Sequence, residues 1–451
     1  MSIFLPIIYT IIFLFIISKL RFFSIDGVSK KIIYIFFLIK ILAGVVLSLL
    51  YMFYFPDPGK ADTLVFFKDG SILYSALYEN PLDYFRMLTG IGADAPHLSH
   101  YYDQMDYWHK LFNYNLYNDN KILIRFNALA CLFSFGHYFV HIVFMAFLSL
   151  SGLVAIYKTF ITDMPEKKRL LLFAVFLIPS VIFWTSGLLK EGILIFAFGL
   201  FLYHTRKLTL EKFSKLNLFF SVFSLVLLGF IKFYVLAAAL PAFISWIWVA
   251  KTKTNKIILK FIFVHALFII GVIFSGYIFS DYNILKIISL KQKDFIEHVQ
   301  TIGNVGSYIE IPLLDENVLS FVKNTPQALI NSFFRPHILE SRTIMMLLSA
   351  VENCLIIITI VFVAIYSSYK QIRNKAAFWF CISFTLLLFT LCGLTTPVLG
   401  ALVRYRAPGI PFLFIALIIL FDLEKIKASR WYSYVKNFRK NLQIRKNSMY
   451  K

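Results

Sequence analysis

Long hydrophobic segments recur along this chain, separated by stretches that are rich in polar and charged residues. A helix needs about 20 apolar residues to cross the hydrocarbon core of a bilayer, and somewhat fewer where the bilayer is thin. The pattern predicts about eleven membrane-spanning helices. They are 3–18, 32–55, 137–157, 169–185, 191–204, 217–232, 233–250, 257–280, 345–367, 376–393 and 407–422. Because 169–185 and 191–204 are short and are separated by little more than Ser186-Gly187, they predict a tight hairpin or re-entrant pair.

Basic residues between these segments predict the orientation of the chain, because Lys and Arg concentrate in cytoplasmic loops. They cluster after spans one, three, five, seven, nine and eleven. The clusters are Lys19, Arg21, Lys30 and Lys31; Lys158 with Lys167, Lys168 and Arg169; Arg206, Lys207, Lys212 and Lys215; Lys251, Lys253 and Lys256; Lys370, Arg373 and Lys375; and the C-terminal tail. All of them fall on one side if the N-terminus is extracytoplasmic and the C-terminus cytoplasmic.

Residues 1–422 are therefore predicted to form one transmembrane domain, followed by a basic cytoplasmic tail at 423–451. Two long loops, 56–125 and 281–344, fall on the extracytoplasmic side in this topology. The first is net acidic, and the second has nearly balanced charge. Each contains an amphipathic run, TLVFFKDGSILYSAL and ENVLSFVKNTPQALINSFF, with apolar residues at roughly helical spacing. These runs predict interfacial helices that bury one face at the headgroup boundary.

The composition agrees with a membrane protein of the all-α class. Hydrophobic residues make up 59% of the chain, charged residues only 15%, and the mean hydropathy is +0.75; soluble domains carry about 25% charged residues. The net charge of +21 lies between hydrophobic segments and in the tail, so it predicts contact with anionic lipid and not with nucleic acid. The N-terminal segment lacks a basic n-region and predicts a retained span. The cysteines, Cys131, Cys354, Cys381 and Cys392, lie in apolar stretches without Cys-x-x-Cys spacing and predict packing residues.

Asp62 is the leading candidate for a catalytic acid or base, because it lies shortly after the second span in GKADTLVFFKDG. Asp69 follows seven residues later, so a helix would place both carboxylates on one face. A carboxylate that is partly desolvated near the membrane becomes a better general base for a hydroxyl or amine nucleophile. The alternative is that these acids merely solvate an outer loop.

Lys190 and Glu191 lie in PSVIFWTSGLLKEG, where Pro179 and Ser186-Gly187 interrupt the helical pattern near the outer membrane face. Charges at the edge of hydrocarbon are costly and predict function. Lys190 is a candidate for binding phosphate, or its ammonium group snorkels into the headgroups. Adjacent residues do not face each other on a helix, so Lys190 and Glu191 are expected to have separate partners.

Charged residues also crowd NSFFRPHILESR, just before the ninth span. Arg335 presents a planar fork that suits phosphate oxygens. His337, Glu340 and Glu352 are secondary candidates: His337 as a proton donor or metal ligand, and Glu352 as the partner of a nearby base.

The last outer loop, TTPVLGALVRYRAPGIPF, brings Arg404 and Arg406 to the start of the final span. If this segment is extended, arginines two apart share one face and are candidates for phosphate binding or headgroup anchoring. Glycine-rich nucleotide loops and a His-Glu-x-x-His motif do not occur in the sequence. The chemical energy is therefore expected to reside in a substrate that is delivered to the outer face.

This pattern resembles the GT-C superfamily of integral-membrane glycosyltransferases, which use polyprenyl-phosphate or polyprenyl-diphosphate sugars at the extracytoplasmic face. The resemblance rests on the architecture and on two short segments, KADTLVFFKDG and RYRAPGIP. It implies that Asp62 deprotonates a glycan, lipid or protein acceptor. It also implies that Lys190, Arg335 and Arg404 or Arg406 bind the lipid-linked phosphate, in cell-envelope glycan or glycolipid assembly at a bacterial inner membrane.

The sequence departs from many relatives in two respects. Two spans precede the acidic loop, and Thr63-Leu64 follows Asp62 where an acidic pair is common. Asp57 and Asp69 therefore remain alternatives to Asp62, and the presence of a divalent metal is left open.

Three other functions are compatible with a protein that has many membrane spans with charged residues at their ends. A Wzy-like polymerase of surface polysaccharide also uses outer loops and arginines but needs no loop carboxylate after an early span. A flippase or transporter of lipid-linked oligosaccharide would place charges within its spans. A purely structural membrane subunit would need none of these sites.

Overall fold

The computed structural model describes residues 4–54, 59, 61–109, 116–252, 255–278, 283–303 and 306–429. These residues form helices and connecting turns, with isolated β-bridges but no β-strand among them. The alternative candidate Asp57 and the basic tail beyond residue 429 lie outside the described residues.

The helices before residue 211 include the element that carries Lys190 and Glu191. In chain order they are α1 (Phe4–Lys19), α2 (Lys30–Phe53), α3 (Asp62–Glu79), α4 (Pro81–Thr89), α5 (Ser99–Tyr102), α6 (Asn120–Ser134), α7 (Tyr138–Ile161), α8 (Lys168–Phe176), α9 (Pro179–Trp184) and α10 (Lys190–Leu210).

The helices after residue 211 complete the bundle. They are α11 (Lys215–Thr252), α12 (Ile257–Ile278), α13 (Ile284–Ile302), α14 (Val318–Phe334), α15 (Ile344–Ile365), α16 (Lys375–Thr395), α17 (Leu399–Arg406), α18 (Ile410–Leu420) and α19 (Leu423–Lys427).

Eight helical units in the described part of the chain are long and apolar enough to cross a membrane. They are α2, α7, α10, α11, α12, α15, α16 and the unit Leu399–Leu420, in which a 3-10 turn at Ala407–Gly409 joins α17 to α18. α1 is apolar but shorter. The protein is thus an all-α polytopic membrane protein. Both amphipathic runs of the long loops are helical, and they form most of α3 and α14.

The predicted spans 217–232 and 233–250 are joined in α11, whose backbone is non-helical at Lys232 (φ −151°, ψ 83°). Both arms of α11 run along α10. Ser221 in the first arm forms a hydrogen bond with Thr205, and Trp246 in the second arm lies 5.1 Å from the guanidinium of Arg206. Since Thr205 and Arg206 are neighbours on α10, the chain must reverse direction at Lys232, and the two arms match the two predicted segments.

The predicted span 169–185 is not continuous. α8 ends at Phe176 and α9 begins at Pro179, because proline disfavours helical geometry in the residue before it and lacks an N–H group. After α9 the chain continues without helix to Leu189, which has extended backbone angles. The hydroxyl of Thr185 accepts a hydrogen bond of 2.8 Å from Lys40 on α2, which holds this segment against α2.

Close helix packing sets the position of α10. A Cβ atom on Gly199 would lie 2.1 Å from the carbonyl oxygen of Gly152 on α7, and one on Gly152 would lie 2.2 Å from the carbonyl oxygen of Ile195. Only glycine permits this approach. Small residues let membrane helices pack through their backbones, where hydrophobic burial gives little driving force. The backbone of α10 is thus packed directly against that of α7, which sets the position of the helix that carries Lys190 and Glu191.

The interior between α7, α10, α11, α16 and α18 is filled by aromatic rings. They are Phe160, Phe198, Trp246, Phe380, Phe384 and Phe412. In contrast, only 11% of the hydrophobic window of α12 and 22% of that of α15 are buried. Apolar helices with so much exposed surface are expected where lipid covers them.

Candidate functional site

A cavity of about 390 Å³, here called the site cavity, lies where α3, α10, the bend of α11, α13 and α17 meet. Its lining carries bases and acids in equal number among the described residues. The bases are Lys190, Lys232, Lys291 and Arg404, the carboxylates are Asp62, Asp106, Asp119 and Asp294, and the histidines are His109 and His298. Charged groups from seven separate segments of the sequence thus face one space.

Arg404 is the central base of this cavity. Its Nη1 donates a hydrogen bond of 2.5 Å to Oδ2 of Asp62, and its Nε donates one of 3.0 Å to Oε2 of Glu191. The arginine is 8% exposed, and Glu191 is completely buried. Burying such charges is costly unless they are paired and hydrogen-bonded, and the planar guanidinium satisfies both carboxylates at once.

Glu191 links Arg404 to a second base. Its Oε1 accepts a hydrogen bond of 2.6 Å from Nζ of Lys232, at the bend of α11. The ammonium of Lys232 also lies 4.1 Å from the ring centre of Tyr405, where the electron-rich face of the ring attracts it. Glu191 lies in the first turn of α10, where free backbone N–H groups favour a negative charge. This buried group fixes the arm of α11 and the position of Arg404 together.

Lys190 faces a different partner from Glu191, as the helical spacing predicts. Its Nζ donates a hydrogen bond of 2.8 Å to Oδ1 of Asp119, which directly precedes α6. Burial alone would raise the pKa of Asp119, but the nearby ammonium groups of Lys190, Lys291 and Lys232 outweigh this effect and hold the pKa well below its usual range. Asp119 is therefore a fixed negative charge beside Lys190.

The two candidate acids of the first long loop have different surroundings. Both face the segment around Tyr107, so the seven-residue spacing places them on one side of α3. Asp69 is completely buried and accepts the backbone N–H groups of Asp106 and Tyr107 at 3.0 Å and 2.8 Å. Asp62 is one-third exposed at its side chain and accepts the hydroxyl of Tyr107 at 2.9 Å. Asp69 thus positions Tyr107, while Asp62 faces the cavity.

Burial also changes the proton affinities of Asp69 and Tyr107. Desolvation raises the pKa of Asp69, although the two backbone N–H groups counteract part of that rise. The pKa of Tyr107 is raised by burial and by the negative charge of Asp62. Tyr107 consequently remains a hydrogen-bond donor to Asp62 and does not compete with it as a base.

Two buried hydroxyl groups at the cavity wall have no hydrogen-bond partner among the described residues. They belong to Tyr234, on the second arm of α11, and to Thr396, just after α16. Buried polar groups without partners are uncommon in folded proteins. They are available to a polar ligand, and Lys291 lies 5.0 Å from the ring centre of Tyr234.

The predicted phosphate-binding residue Arg335 does not line the site cavity. Its guanidinium forms an ion pair with Glu340, with Nε and Nη2 each 3.0 Å from Oε2. His337 also contacts Glu340, at 3.2 Å between Nε2 and Oε2. These three residues form a separate cluster after α14.

Arg406 has a structural environment that the sequence did not predict. Its segment is helical and not extended, so two residues correspond to a rotation of about 200° and place Arg404 and Arg406 on different sides of α17. The guanidinium of Arg406 is buried and donates to the backbone carbonyl of Ser332 and the side-chain oxygen of Asn353. It therefore ties α17 to α14 and α15.

Glu352 on α15 forms no hydrogen bond with a basic side chain among the described residues. Its carboxylate accepts the backbone N–H of Ser180 at 2.9 Å and its hydroxyl at 2.5 Å, in the first turn of α9. Such a contact satisfies a free N–H group at a helix start. The residue joins α15 to α9.

Several residues of the site cavity were missed by sequence reasoning. Lys232 had a usable signal, because a lysine inside the apolar stretch 217–250 is costly in a membrane. The sequence held no such signal for Tyr107, Asp119 and Lys291, since they resemble any polar residue of an outer loop. As for metals, the described residues contain no group of three or more His, Cys, Asp or Glu side chains arranged to hold an ion.

Comparison with protein-family models, with curated proteins and with solved structures found no match to this chain.

Proposed function

We propose that this protein is a membrane glycosyltransferase that moves a sugar from a polyprenyl-phosphate or polyprenyl-diphosphate donor to an acceptor at the extracytoplasmic face. One observation carries the proposal: Asp62, a partly exposed carboxylate, lines the same cavity as Arg404, Lys190, Lys232 and Lys291. A base beside several cations suits a reaction in which a hydroxyl group loses a proton while a phosphate group leaves.

The distribution of charge supports an extracytoplasmic position for the site cavity. Lys190 lies at its edge, at the start of α10, whereas Arg206 and Lys207 lie near the opposite end of that helix. The clusters of lysine and arginine between spans fall at this opposite end. Because such residues concentrate in cytoplasmic loops, this end is assigned to the cytoplasmic side. The proposed topology has eleven spans, counting α1, the α8–α9 segment and each arm of α11. In it the N-terminus is extracytoplasmic, and the membrane is a bacterial inner membrane.

The proposed transfer step uses Asp62 as the base. Asp62 accepts the proton of the acceptor hydroxyl, and the acceptor oxygen forms a bond to the anomeric carbon of the sugar. The bond from that carbon to the phosphate oxygen breaks, and its electron pair stays on the phosphate. Arg404 and Lys190 stabilise the charge that develops there, and one well-placed donor of this kind is worth about 3–4 kcal/mol of transition-state stabilisation.

Donor binding is coupled to the release of the base. Without a ligand, Arg404 is neutralised by Asp62 and by Glu191. Glu191 is completely buried and also holds Lys232, whereas the side chain of Asp62 is 33% exposed. A donor phosphate that contacts Arg404 therefore displaces Asp62, the more accessible carboxylate. Asp62 becomes a free base only when the donor is in place, which disfavours proton abstraction without transfer.

The packing favours an enzyme over a transporter. A transporter needs a polar route from the site cavity to the other end of the bundle. Aromatic rings of Phe198, Phe384 and Phe412 pack against one another along that direction, with centroid distances of 4.8–5.2 Å. A polymerase of surface polysaccharide would use the same transfer step with a growing glycan as acceptor.

The experiment is a transfer assay with the purified full-length protein in nanodiscs. Labelled polyprenyl-phosphate and polyprenyl-diphosphate sugars are supplied with glycan and lipid acceptors, and labelled product is quantified. Asp62→Asn keeps the shape of the side chain but removes the base, so transfer should fall by about 10²–10⁴-fold.

Asp103→Asn is the matched control, because Asp103 is an exposed acid of the same long loop and does not line the site cavity. It should transfer at the rate of the unchanged protein. Equal transfer by Asp62→Asn would remove Asp62 from the mechanism. If the unchanged protein transfers no sugar from either donor class, the enzyme proposal itself fails.

A further inference from the structure

A second cavity, of about 740 Å³, lies at the end of the bundle opposite the site cavity. It is formed by the turn before α2, the C-terminal ends of α7 and α10, and the start of α8. The charged side chains along its wall are Lys158, Lys168, Arg206 and Lys207, with Asp26 and Glu211. Its volume lies within the range of about 300–1,000 Å³ that is usual for small-molecule sites.

In each of two pairs of adjacent basic residues near this cavity, one member makes a structural contact; of these two members, Arg206 also lines the cavity wall. Lys167 donates to the backbone carbonyls at the end of α18, at 2.9 Å for Ile418, while Lys168 lines the cavity. Arg206 forms an ion pair of 2.9 Å with Asp163, while Lys207 forms none with the residues that the structure describes. In each pair one base already has a structural partner, and the other is left for the cavity.

The three lysines of the cavity have no carboxylate within ion-pair distance among the described residues. Lys158 lies 5.2 Å from the ring centre of Phe22, and Lys207 lies 4.9 Å from that of Tyr203. These two rings contact each other edge to face, with centroids 6.1 Å apart, so both ammonium groups lie against one pair of aromatic rings. A longer and weaker hydrogen bond of 3.5 Å joins Lys158 to the carbonyl oxygen of Arg21.

The shape of the backbone leaves room for Lys168 at the cavity wall. A Cβ atom on Gly27 would lie 2.6 Å from its Nζ, so the ammonium rests directly against Gly27. Gly27 has a φ of +73°, a conformation that side-chain-bearing residues rarely adopt. A glycine at this position thus makes space for the third ammonium group.

The geometry points to a binding site for a phosphate group at this cavity, with Lys158, Lys168 and Lys207 as the recognising residues. Three ammonium groups that have no carboxylate within ion-pair distance among the described residues, two of them packed against aromatic rings, match the charge of a phosphate monoester or diester. The phosphate belongs either to the headgroup of an anionic lipid or to a soluble phosphate compound. The site lies at the other end of α10 from Lys190, so it is distinct from the proposed donor site.

The test measures binding directly and does not depend on transfer activity. The full-length protein in neutral detergent is titrated with phosphatidylglycerol, and bound lipid is counted by native mass spectrometry; phosphatidylcholine is the neutral comparison. Inorganic phosphate is then added as a competitor. The double variant Lys158→Gln/Lys207→Gln should bind phosphatidylglycerol about thirtyfold more weakly, since each lysine near a lipid surface contributes about 1 kcal/mol.

The matched control is Lys212→Gln/Lys370→Gln, which removes two exposed lysines of the same end that do not line the cavity. It should bind lipid as the unchanged protein does. Competition by inorganic phosphate would identify a soluble phosphate compound as sufficient, whereas lipid binding that phosphate does not affect would identify a headgroup; both support the site. If the double variant does not fold, Lys168→Gln alters an exposed residue and should weaken binding about fivefold.

Three results overturn the inference. The first is that the unchanged protein binds neither phosphatidylglycerol nor inorganic phosphate. The second is that both double variants lose lipid binding equally, which would indicate attraction by overall charge. The third is that neither Lys168→Gln nor Lys158→Gln/Lys207→Gln changes the affinity.

Discussion

The buried charge group at the site cavity predicts a specific loss of stability when Glu191 is replaced by glutamine. Glu191 is completely buried and contacts Lys232 at 2.6 Å and Arg404 at 3.0 Å. In Glu191→Gln the shape is nearly unchanged, but the carboxylate charge is lost. Arg404 keeps Asp62 as its partner, whereas Lys232 loses its only ion-pair partner among the described residues.

The size of the effect follows from this imbalance. Removing one partner of a buried pair costs about 3–5 kcal/mol, because the remaining charge is buried without compensation. The double variant Glu191→Gln/Lys232→Met removes both charges, and methionine fills a volume similar to that of the lysine side chain. It should recover to within about 1 kcal/mol of the unchanged protein, since neither member of the ion pair is left as a buried charge without its partner.

The assay is reversible unfolding of the full-length protein in mixed micelles with increasing SDS, and it gives the free energy of unfolding. Glu310→Gln is the control, because Glu310 is exposed and does not line the site cavity. The single and double variants form a cycle that isolates the interaction of the two residues. The reasoning is refuted if Glu191→Gln costs no more than Glu310→Gln, or if Lys232→Met does not relieve the loss.

Three further predictions concern acid stability, catalysis and helix packing. The pKa of Asp119 is lower in the folded protein than in the unfolded chain, so the stability that its carboxylate contributes is complete above a pH of about 4 and is lost as the pH falls through the folded pKa. Asp119→Asn removes this contribution and should flatten the decline of the melting temperature on acidification. An unchanged decline would contradict this. Tyr107→Phe removes the donor to Asp62 and should lower the transfer rate about tenfold, with the melting temperature as the check that the fold is intact. Gly199→Val would place side-chain atoms inside the backbone of α7, so size-exclusion chromatography should show loss of the folded, monodisperse protein; a normal elution profile would show that the helices can separate.

The membrane class and most helices could be predicted from the sequence because they depend on local properties. The length and hydropathy of a segment determine whether it can cross a bilayer, whatever the rest of the chain does. The segment 169–185 was predicted as one span from its length, although Pro179 was recognised as an interruption of the helical pattern, and the structure divides the segment there into α8 and α9. The junction of 217–232 and 233–250 also depended on packing, since Lys232 breaks the helix where it meets Glu191.

The composition of the site was only partly predictable, since its contacts join distant parts of the chain. Asp62 and Arg404 are separated by 342 positions, and Glu191 and Arg404 by 213. The sequence identified all three as charges at span ends, but no local pattern states which of them meet. Arg335 was grouped with them, but it does not line the site cavity, and its ion-pair partner Glu340 lies only five positions away.

By itself, the sequence determined that this chain forms apolar helices of membrane-spanning length and that charged residues gather at their ends, since hydropathy and charge are properties of each segment alone. Only the tertiary structure decided which charges share a cavity and which stabilise the fold. The difference between Arg404 and Arg406 shows the reason. The two are of one residue type and two positions apart, yet the helix directs one toward Asp62 and the other toward Asn353. The direction in which each side chain points is set by the helix and by its neighbours, so it cannot be read from the order of the residues alone.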